Sequence, residues 1–246
     1  MKYKIIKQKT NNYFEDFLGA RRETILRLQS LYRGDYFEDK EKARKREEMY
    51  GQEMERLQKY FNTKNGGNVL DIGCGTGGFL SLFSDQWQKY GIDISEFAKK
   101  EAQKKGIATD FKLEDNFFDL IIFRGTIQHL PDPISRIEKC YYWLKPGGGV
   151  VFLATPNANS ICYKLFNTLP MLDGKYNFFI PSDIVLKQVL ANFGFKIKGL
   201  EYPYINTPYA SPMNDMLDFI LKLLRIKKAA VFPFYKNMME VYAEKQ

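Results

Sequence analysis

Cysteine and histidine are scarce in this sequence, and long apolar runs are missing from it. The 246 residues include one histidine and three scattered cysteines, too few for a disulfide framework or a zinc site, so no metal is expected. No run approaches the roughly 18 consecutive apolar residues of a membrane span. The basic N-terminus lacks the apolar segment of a secretion signal. We therefore expect a cytoplasmic protein with no transmembrane segment.

A segregated positive patch is also missing, although the formal net charge is +8. The densest basic run, KEKARKREE at residues 40–48, mixes both signs, which is typical of a solvated helix face. The sequence contains no zinc finger or other nucleic-acid-binding module. A nucleic-acid partner is therefore disfavoured, and anionic substrates account for a positive field equally well.

Glycines concentrate in one short stretch, VLDIGCGTGG at residues 69–78. A strand that ends in a tight turn needs residues without Cβ, both to reach unusual φ values and to let a ligand approach the backbone. Gly73, Gly75 and Gly78 have the spacing G-x-G-x-x-G, and Asp93 follows Gly73 by 20 residues (93 − 73). The pattern predicts a nucleotide site, either for a dinucleotide or for S-adenosylmethionine.

Asp71, at the end of the predicted first strand, favours S-adenosylmethionine over a dinucleotide. A pyrophosphate would be repelled by an adjacent carboxylate, because it binds to backbone N–H groups and helix N-termini. S-adenosylmethionine carries an ammonium and a sulfonium, and both are attracted by a nearby acid.

The motif from Asp71 to Gly77 resembles the D/E-x-G-x-G-x-G motif of class I S-adenosylmethionine-dependent methyltransferases. Three later segments resemble further landmarks of that superfamily in the same order: FFDLII at 117–122, HLPDP at 129–133 and LKPGGG at 144–149. The resemblance covers residues 60 to 200 approximately. It implies an enzyme that uses S-adenosylmethionine as its cofactor.

Strands alternate with helices along the chain, which predicts a doubly wound, Rossmann-like α/β fold. The resemblance implies a mostly parallel sheet of seven strands with helices on both faces, in which strands 195–202 and 237–243 pair antiparallel. A helix is expected after the first strand, with Phe79, Leu80, Phe83 and Trp87 on one face. We expect an N-terminal helical cap at 1–64 and a methyltransferase domain at 65–246, with acceptor-side inserts at about 156–180 and 203–235.

The resemblance also implies which residues bind the cofactor. Asp71, Gly73 and Gly75 would line its methionine portion, and Asp93 would accept hydrogen bonds from the ribose hydroxyls. The acid that meets the adenine is either Asp110 or Asp115, because the stretch before Phe118 is shorter than the family pattern. The remaining expected cofactor residues are Cys74, which also suits a small packing position, Ile94, Arg124 and Gly125.

His129 is the candidate catalytic residue. Methyl transfer needs a base only when the acceptor carries a proton, and the titration range of histidine suits that task. The family often has Glu-His at this point, whereas this chain has Gln128 before the histidine, so no acidic partner follows from the motif. The alternative is a histidine that hydrogen-bonds backbone and shapes the turn.

Residues 212–228 form an unusual apolar insert that ends in Lys222, Arg225, Lys227 and Lys228. One interpretation, which we favour, is a core-packed helix whose dipole attracts the cations. The other is a helix that binds a membrane surface or a partner, so peripheral membrane contact stays open.

The acceptor is the least determined part of the function. In overall layout, including residues 232–243, the chain resembles bacterial methyltransferases associated with surface-polysaccharide synthesis, which implies O-methylation of a sugar, nucleotide-sugar or glycan. A small aromatic or quinone-like acceptor would leave every cofactor motif unchanged. A nicotinamide-dependent oxidoreductase and a non-catalytic binding protein are the further alternatives, and the oligomeric state stays open.

Overall fold

The computed structural model describes residues 40–167, 169, 172, 177–226 and 235–246. The part of the predicted N-terminal helical region before residue 40 lies outside the described residues. The helices are α1 (Lys40–Leu57), α2 (Glu96–Gln103), α3 (Pro133–Trp143), α4 (Ile161–Phe166), α5 (Asp183–Asn192) and α6 (Pro212–Leu223). The strands are β1 (Gly67–Ile72), β2 (Trp87–Ile92), β3 (Phe118–Arg124), β4 (Leu144–Pro156), β5 (Phe195–Glu201) and β6 (Met238–Lys245).

The strands of the described residues form one six-stranded sheet in the order β2-β1-β3-β4-β6-β5. Strands β1 to β4 are mutually parallel, and β6 runs antiparallel to both β4 and β5. The antiparallel pairing of the last two strands is therefore confirmed. Beside β2, at the outer edge of the sheet, Ala108 makes an isolated bridge to Tyr90. The described residues form six strands, so the seventh strand expected from the resemblance is not confirmed.

Both faces of the sheet are buried, because side chains alternate along each strand. On one face, residues of β1, β3 and β4 pack against α3 and α5: Leu70, Ile72, Ile121, Phe123, Val150, Phe152, Ile137, Leu186 and Leu190. On the other face, the alternate residues pack against α1, α2 and the segment after β1: Val69, Leu120, Ile122, Val151, Leu153, Leu57, Leu80, Phe83 and Ala102. The doubly wound α/β prediction is confirmed.

The helix predicted after the first strand is much shorter in the structure than expected. Only a 3-10 turn forms there, at Leu80–Leu82, and Trp87 instead begins β2. Gly75 and Gly77 have φ values of +54° and +76°, which interrupt any α-helix that begins in the glycine turn. The apolar side chains are nevertheless buried, with Phe79, Leu80 and Phe83 in the core.

Three helix starts are marked by capping hydrogen bonds. Ser95, Asp132 and Ser182 each accept a bond through the side chain from the backbone N–H three residues later. Gly106 and Gly194, with φ values of +76° and +89°, follow α2 and α5 as expected for glycines that end helices.

The carboxyl ends of β1 to β5 share one edge of the sheet, which we call the carboxyl edge. Because β6 is antiparallel, it begins at this edge, so the segments after β1, β2, β3, β4 and β5 all meet there. Ligands of open α/β sheets bind at this edge. The described parts of both acceptor-side inserts follow β4 and β5 and therefore lie beside the predicted cofactor residues.

The core-packed interpretation of the late apolar insert is wrong for α6. Its apolar side chains are exposed, from 44% for Ile220 to 87% for Met213. Among the helices in the described ranges, none has the length and apolar character needed to cross a bilayer.

Candidate functional site

The glycine turn after β1 is held against β2 by backbone hydrogen bonds. The N–H groups of Gly73 and Cys74 both donate to the Ile92 carbonyl, at 2.7 and 3.0 Å. Gly73 has φ +87°, and a Cβ there would lie 2.2 Å from Thr126 Oγ1. A side chain is therefore excluded at this position twice, by backbone conformation and by contact with the segment after β3.

Asp93 closes the turn from the end of β2. Its two carboxylate oxygens accept hydrogen bonds from the Gly75 N–H and the Ser95 N–H, each at 2.8 Å. Burial raises the pKa of Asp93, and the backbone donors oppose that effect. Each oxygen has a second lone pair that a ligand hydroxyl can use.

Asp71 is the most unusual group at the carboxyl edge. The residue is 2% exposed, and its Oδ1 atom has no hydrogen-bond partner among the described residues. Burial raises the pKa of Asp71 to about 7, with Asp93 and Glu53 adding to the increase and Arg124 opposing it. A buried carboxylate without a partner is costly, and such groups are enriched at functional sites.

Arg124 is the last residue of β3 and connects helix α1 to the sheet. Its Nε donates to Glu53 Oε2 at 2.5 Å, and its guanidinium lies 4.3 Å from the centroid of the Tyr50 ring. Glu53 is completely buried. Although burial alone would lower the pKa of Arg124, Glu53 and Tyr50 raise it, so the guanidinium stays charged.

A second buried ion pair fastens α1 to the sheet. Arg56 donates from Nε and Nη2 to both oxygens of Glu240, at 2.7 and 2.6 Å, and the Tyr242 hydroxyl donates to Glu240 at 2.6 Å. Sequence reasoning missed Glu53, Arg56 and Glu240, because α1 carries many charged residues and nothing local shows which of them point into the core. The available signal was their spacing, since i and i+3 share a helix face.

Asp110 and Asp115 lie at different ends of the sheet. Ala108 pairs in parallel with Tyr90, so Asp110, two residues later, is level with the end of β2 near Asp93. Asp115 precedes β3, and its neighbour Asn116 accepts a hydrogen bond from Lys245 at the end of β6. Asp110 is therefore the acid on the carboxyl edge.

Residues 43–198, more than half of the chain, match the family model described as a methyltransferase domain. The chain belongs to this methyltransferase family. It is a class I S-adenosylmethionine-dependent enzyme, and its cofactor is S-adenosylmethionine. Membership in this family excludes the nicotinamide oxidoreductase alternative.

Curated relatives of the methyltransferase carry several names. A ubiquinone biosynthesis O-methyltransferase of Ralstonia nicotianae is 29% identical over 185 residues, which cover 65% of this chain and 77% of that protein. Phosphoethanolamine N-methyltransferase 2 of Caenorhabditis elegans is 32% identical over 117 residues, but this chain spans only 27% of its length.

Solved structures of similar fold include an S-adenosylmethionine-dependent methyltransferase from Archaeoglobus fulgidus. It has a TM-score of 0.56 and 22% identity, and the match covers 81% of this chain and 94% of that one. Another such enzyme, from Mesorhizobium loti, has a TM-score of 0.53 and 17% identity over 77% of this chain and 96% of that one. At these identities the similarity concerns the fold.

Two of the three later landmark motifs, FFDLII and LKPGGG, contact each other away from the cofactor residues. Asp119 accepts hydrogen bonds from Lys145 Nζ and from the Asn68 N–H, both at 2.7 Å. These residues lie at the starts of β3, β4 and β1, so the contact joins three strands at the edge opposite the glycine turn. The motifs therefore help to hold the sheet together there.

His129 lies on the carboxyl edge, in the 3-10 turn Ile127–His129 after β3. Its Nε2 is 3.3 Å from the Gln128 amide nitrogen, which also donates to the Gly125 carbonyl at 2.8 Å. In the tautomer with an unprotonated Nε2, the amide donates to the lone pair that a base would use. In that tautomer the Gln128 side chain donates to the imidazole, whereas the glutamate of the family pattern would accept from it.

The other predicted cofactor residues lie at the same edge. Cys74 is 6% exposed, and a Cβ on Gly91 would lie 2.6 Å from its Sγ, so it packs tightly against β2. Burial raises the pKa of the Cys74 thiol. Gly125 has φ +63°, and Ile94 is half-buried between Asp93 and Ser95.

A surface cleft of about 590 Å³ lies elsewhere on the molecule. Its lining includes Thr63 and Lys64 before β1 and Asp85 and Gln86 before β2, which places it at the edge opposite the carboxyl edge. It contains none of the predicted cofactor residues, and we assign the site from the chemistry of the carboxyl edge instead.

Proposed function

We propose that the enzyme methylates a hydroxyl group on a small aromatic or quinone-like acceptor, with S-adenosylmethionine as donor. The use of S-adenosylmethionine is supported most directly by the buried Oδ1 atom of Asp71, which has no hydrogen-bond partner in the described part of the chain and lies beside the glycine turn. The aromatic or quinone-like acceptor is supported by the bacterial relatives named as ubiquinone biosynthesis O-methyltransferases, which match about two thirds of this chain.

The residues of the carboxyl edge fit S-adenosylmethionine. Asp71 offers a carboxylate oxygen to the ammonium of the methionine portion, and the backbone at Gly73 and Gly75 lets the ligand approach closely. Asp93 has spare lone pairs for the ribose hydroxyls, and Asp110 is the candidate for the adenine amino group. Arg124 supplies a buried positive charge beside Asp71, which suits the carboxylate of the methionine portion.

When bound, the cofactor supplies a methyl group on a positively charged sulfur, and transfer of that group removes the charge. The protein therefore needs to hold the acceptor oxygen in line with the methyl group and to exclude competing water. An acceptor hydroxyl loses its proton in the reaction, so a base within hydrogen-bond distance accelerates the step. His129 is the candidate base. Its Nε2 lone pair becomes available when the Gln128 amide no longer donates to it.

The sugar or glycan acceptor expected from the sequence stays a prediction. Two tyrosines of the described residues are engaged with protein groups. Tyr50 lies under Arg124, and Tyr204 donates to Asp215 at 2.9 Å. These two rings are therefore poorly placed to stack on a sugar.

A panel of acceptors tests the proposed function. The full-length enzyme is incubated with S-adenosylmethionine and three acceptor groups: catechols and hydroquinones, free and nucleotide-linked sugars, and cell-envelope glycans. We expect a methylated product from the phenolic group, measured as the mass gain of one methyl group. Turnover of the sugar or glycan group alone would overturn the aromatic acceptor and support the polysaccharide prediction.

Replacing His129 with alanine is expected to lower kcat on a hydroxyl acceptor by about 100-fold, the lower end of general-base contributions. Affinity for S-adenosylmethionine, measured by calorimetry, should change little, because the predicted cofactor contacts lie on other residues. Gln128→Glu is the matched variant, since it gives the imidazole the acidic partner of the family pattern and should not reduce kcat. Unchanged kcat for His129→Ala on the true acceptor would show that His129 is not the base.

A further inference from the structure

Helix α6 presents its apolar side outward. Seven apolar residues of α6 and the turn that follows it are between 44% and 87% exposed: Met213, Met216, Leu217, Ile220, Leu223, Leu224 and Ile226. The first six follow one another at intervals of three or one residues. That spacing places them in a continuous stripe along one side of the helix, which we call the apolar stripe.

The other side of α6 is the one that holds it to the protein. Asp215 is buried and accepts hydrogen bonds from the Tyr204 hydroxyl and the Ser211 N–H, both at 2.9 Å. The Phe219 ring packs edge-on against Phe166 of α4 at 5.7 Å, and Lys222 lies 4.9 Å from the same Phe166 ring. Polar and aromatic contacts therefore fix the helix with its apolar stripe turned away from the core.

Positive charges collect at one end of the apolar stripe. Lys222 lies in the last turn of α6, on the side that contacts Phe166, and the exposed Arg225 follows the helix at the end of the stripe. Lys227 and Lys228 come next in the sequence. The chain as a whole has a formal net charge of +8. An apolar face flanked by several cations is the pattern of a helix that lies in the interface of an anionic bilayer.

The position of α6 in the fold is also informative. The segment between β5 and β6 begins and ends at the carboxyl edge, so α6 belongs to the same edge as the cofactor residues. Helix α4, which α6 contacts through Phe166, adds two more exposed apolar residues, Ile161 at 50% and Leu165 at 51%. Exposed apolar residues therefore occur on two helices that contact each other.

We propose that the apolar stripe of α6 docks the enzyme on the surface of an anionic phospholipid bilayer. The apolar side chains would enter the headgroup boundary, and Arg225, at the end of the stripe, would lie beside the lipid phosphates. The carboxyl edge would then face the membrane, where a lipid-soluble acceptor is available. The docking itself requires no assumption about the acceptor.

A second copy of the chain is a poorer occupant of this surface. Two copies joined through their apolar stripes would bring two sets of like charges close together, which is destabilising. An anionic bilayer neutralises the same charges, and each Lys or Arg near such a surface contributes favourably.

Co-sedimentation of the full-length protein with vesicles tests the proposal. We expect binding to vesicles of phosphatidylglycerol and phosphatidylcholine, and much weaker binding to pure phosphatidylcholine or at high salt. The double substitution Leu217→Glu and Ile220→Glu should reduce the partition coefficient by at least about tenfold. Arg225→Gln should reduce it by about fivefold.

Matched controls separate docking from misfolding and from loss of the cofactor site. Leu82→Glu places the same charge at an apolar residue that is 46% exposed on another part of the surface, and it should leave vesicle binding unchanged. Calorimetry should give the same S-adenosylmethionine affinity for every variant, so that docking and the proposed function can fail separately. Absence of binding to anionic vesicles, or equal binding by the double variant, would overturn the proposal.

A fluorescent label at Leu217→Cys provides a second measurement. The three natural cysteines are buried, so an environment-sensitive thiol dye reports on this position selectively. We expect a polar emission spectrum in buffer and a blue shift when anionic vesicles are added. A blue-shifted spectrum in buffer alone, with or without dimer formation, would mean that another part of the protein covers the stripe, and the proposal would be wrong.

Discussion

Replacing Asp71 with asparagine is expected to weaken S-adenosylmethionine binding by about 10- to 150-fold. A hydrogen bond to a charged group contributes about 1.5–3 kcal/mol, and each 1.4 kcal/mol changes a dissociation constant about tenfold. Asparagine keeps the size of the side chain but removes the charge that attracts the ammonium. Binding by the wild-type protein should also weaken as the pH falls below about 7, because the buried carboxyl group then takes up a proton.

The same substitution should stabilise the protein without cofactor at alkaline pH. In the folded protein the pKa of Asp71 is raised to about 7, whereas an unfolded aspartate titrates at about 3.9. The folded state therefore binds the proton more tightly, and the free energy of unfolding falls as the pH rises from about 4 to 7. The difference corresponds to at most about 4 kcal/mol, or several degrees in Tm for a chain of this size.

Thermal unfolding at pH 4.5 and pH 8 provides the measurement. Asp71→Asn should have a higher Tm than the wild type at pH 8, and the difference should shrink at pH 4.5. Asp85→Asn serves as the control, because Asp85 lies on the surface before β2 and should change neither Tm nor cofactor affinity. A lower Tm for Asp71→Asn at pH 8 would contradict the view that Asp71 is a destabilising group kept for binding.

Removing Glu53 is expected to destabilise the protein by about 3–5 kcal/mol, because it leaves the buried Arg124 without its main carboxylate partner. For a chain of this length, the corresponding fall in Tm is about 6–20 °C. Glu55→Ala is the matched control in the same helix, since Glu55 is exposed and its loss should change stability by no more than about 0.5 kcal/mol.

A double-mutant cycle separates the ion pair from the loss of packing. Glu53→Leu combined with Arg124→Met removes both charges and keeps apolar volume in the site. This variant should regain most of the stability lost in Glu53→Leu, because no charge is then buried without a partner. Chemical denaturation of the four proteins gives the coupling free energy, and a value near zero would show that the pair does not hold α1 to the sheet.

The cofactor region could be read from the sequence because its determinants are local. The turn from Asp71 to Gly78 lies on one short segment, and Asp93 is set by the length of a single strand–turn–strand unit. Helix starts at Ser95, Asp132 and Ser182 were predictable for the same reason, since an N-cap acts within three residues. The alternating burial of β1, β3 and β4 follows from the runs of apolar residues themselves.

Other features depend on contacts between distant segments, and only the tertiary structure decided them. Glu53 and Arg124 are far apart in the sequence, so nothing local marked their ion pair among the many charges of α1. Only the bridge at Ala108 showed that Asp110 and Asp115 lie at different ends of the sheet. Periodicity predicted the apolar stripe of α6 but not its direction, because Asp215 and Phe219, on the other side of the helix, find their partners elsewhere in the fold. The sequence alone indicated the cofactor and the alternation of strands with helices, whereas long-range packing determined which charges are buried and which apolar face is left exposed.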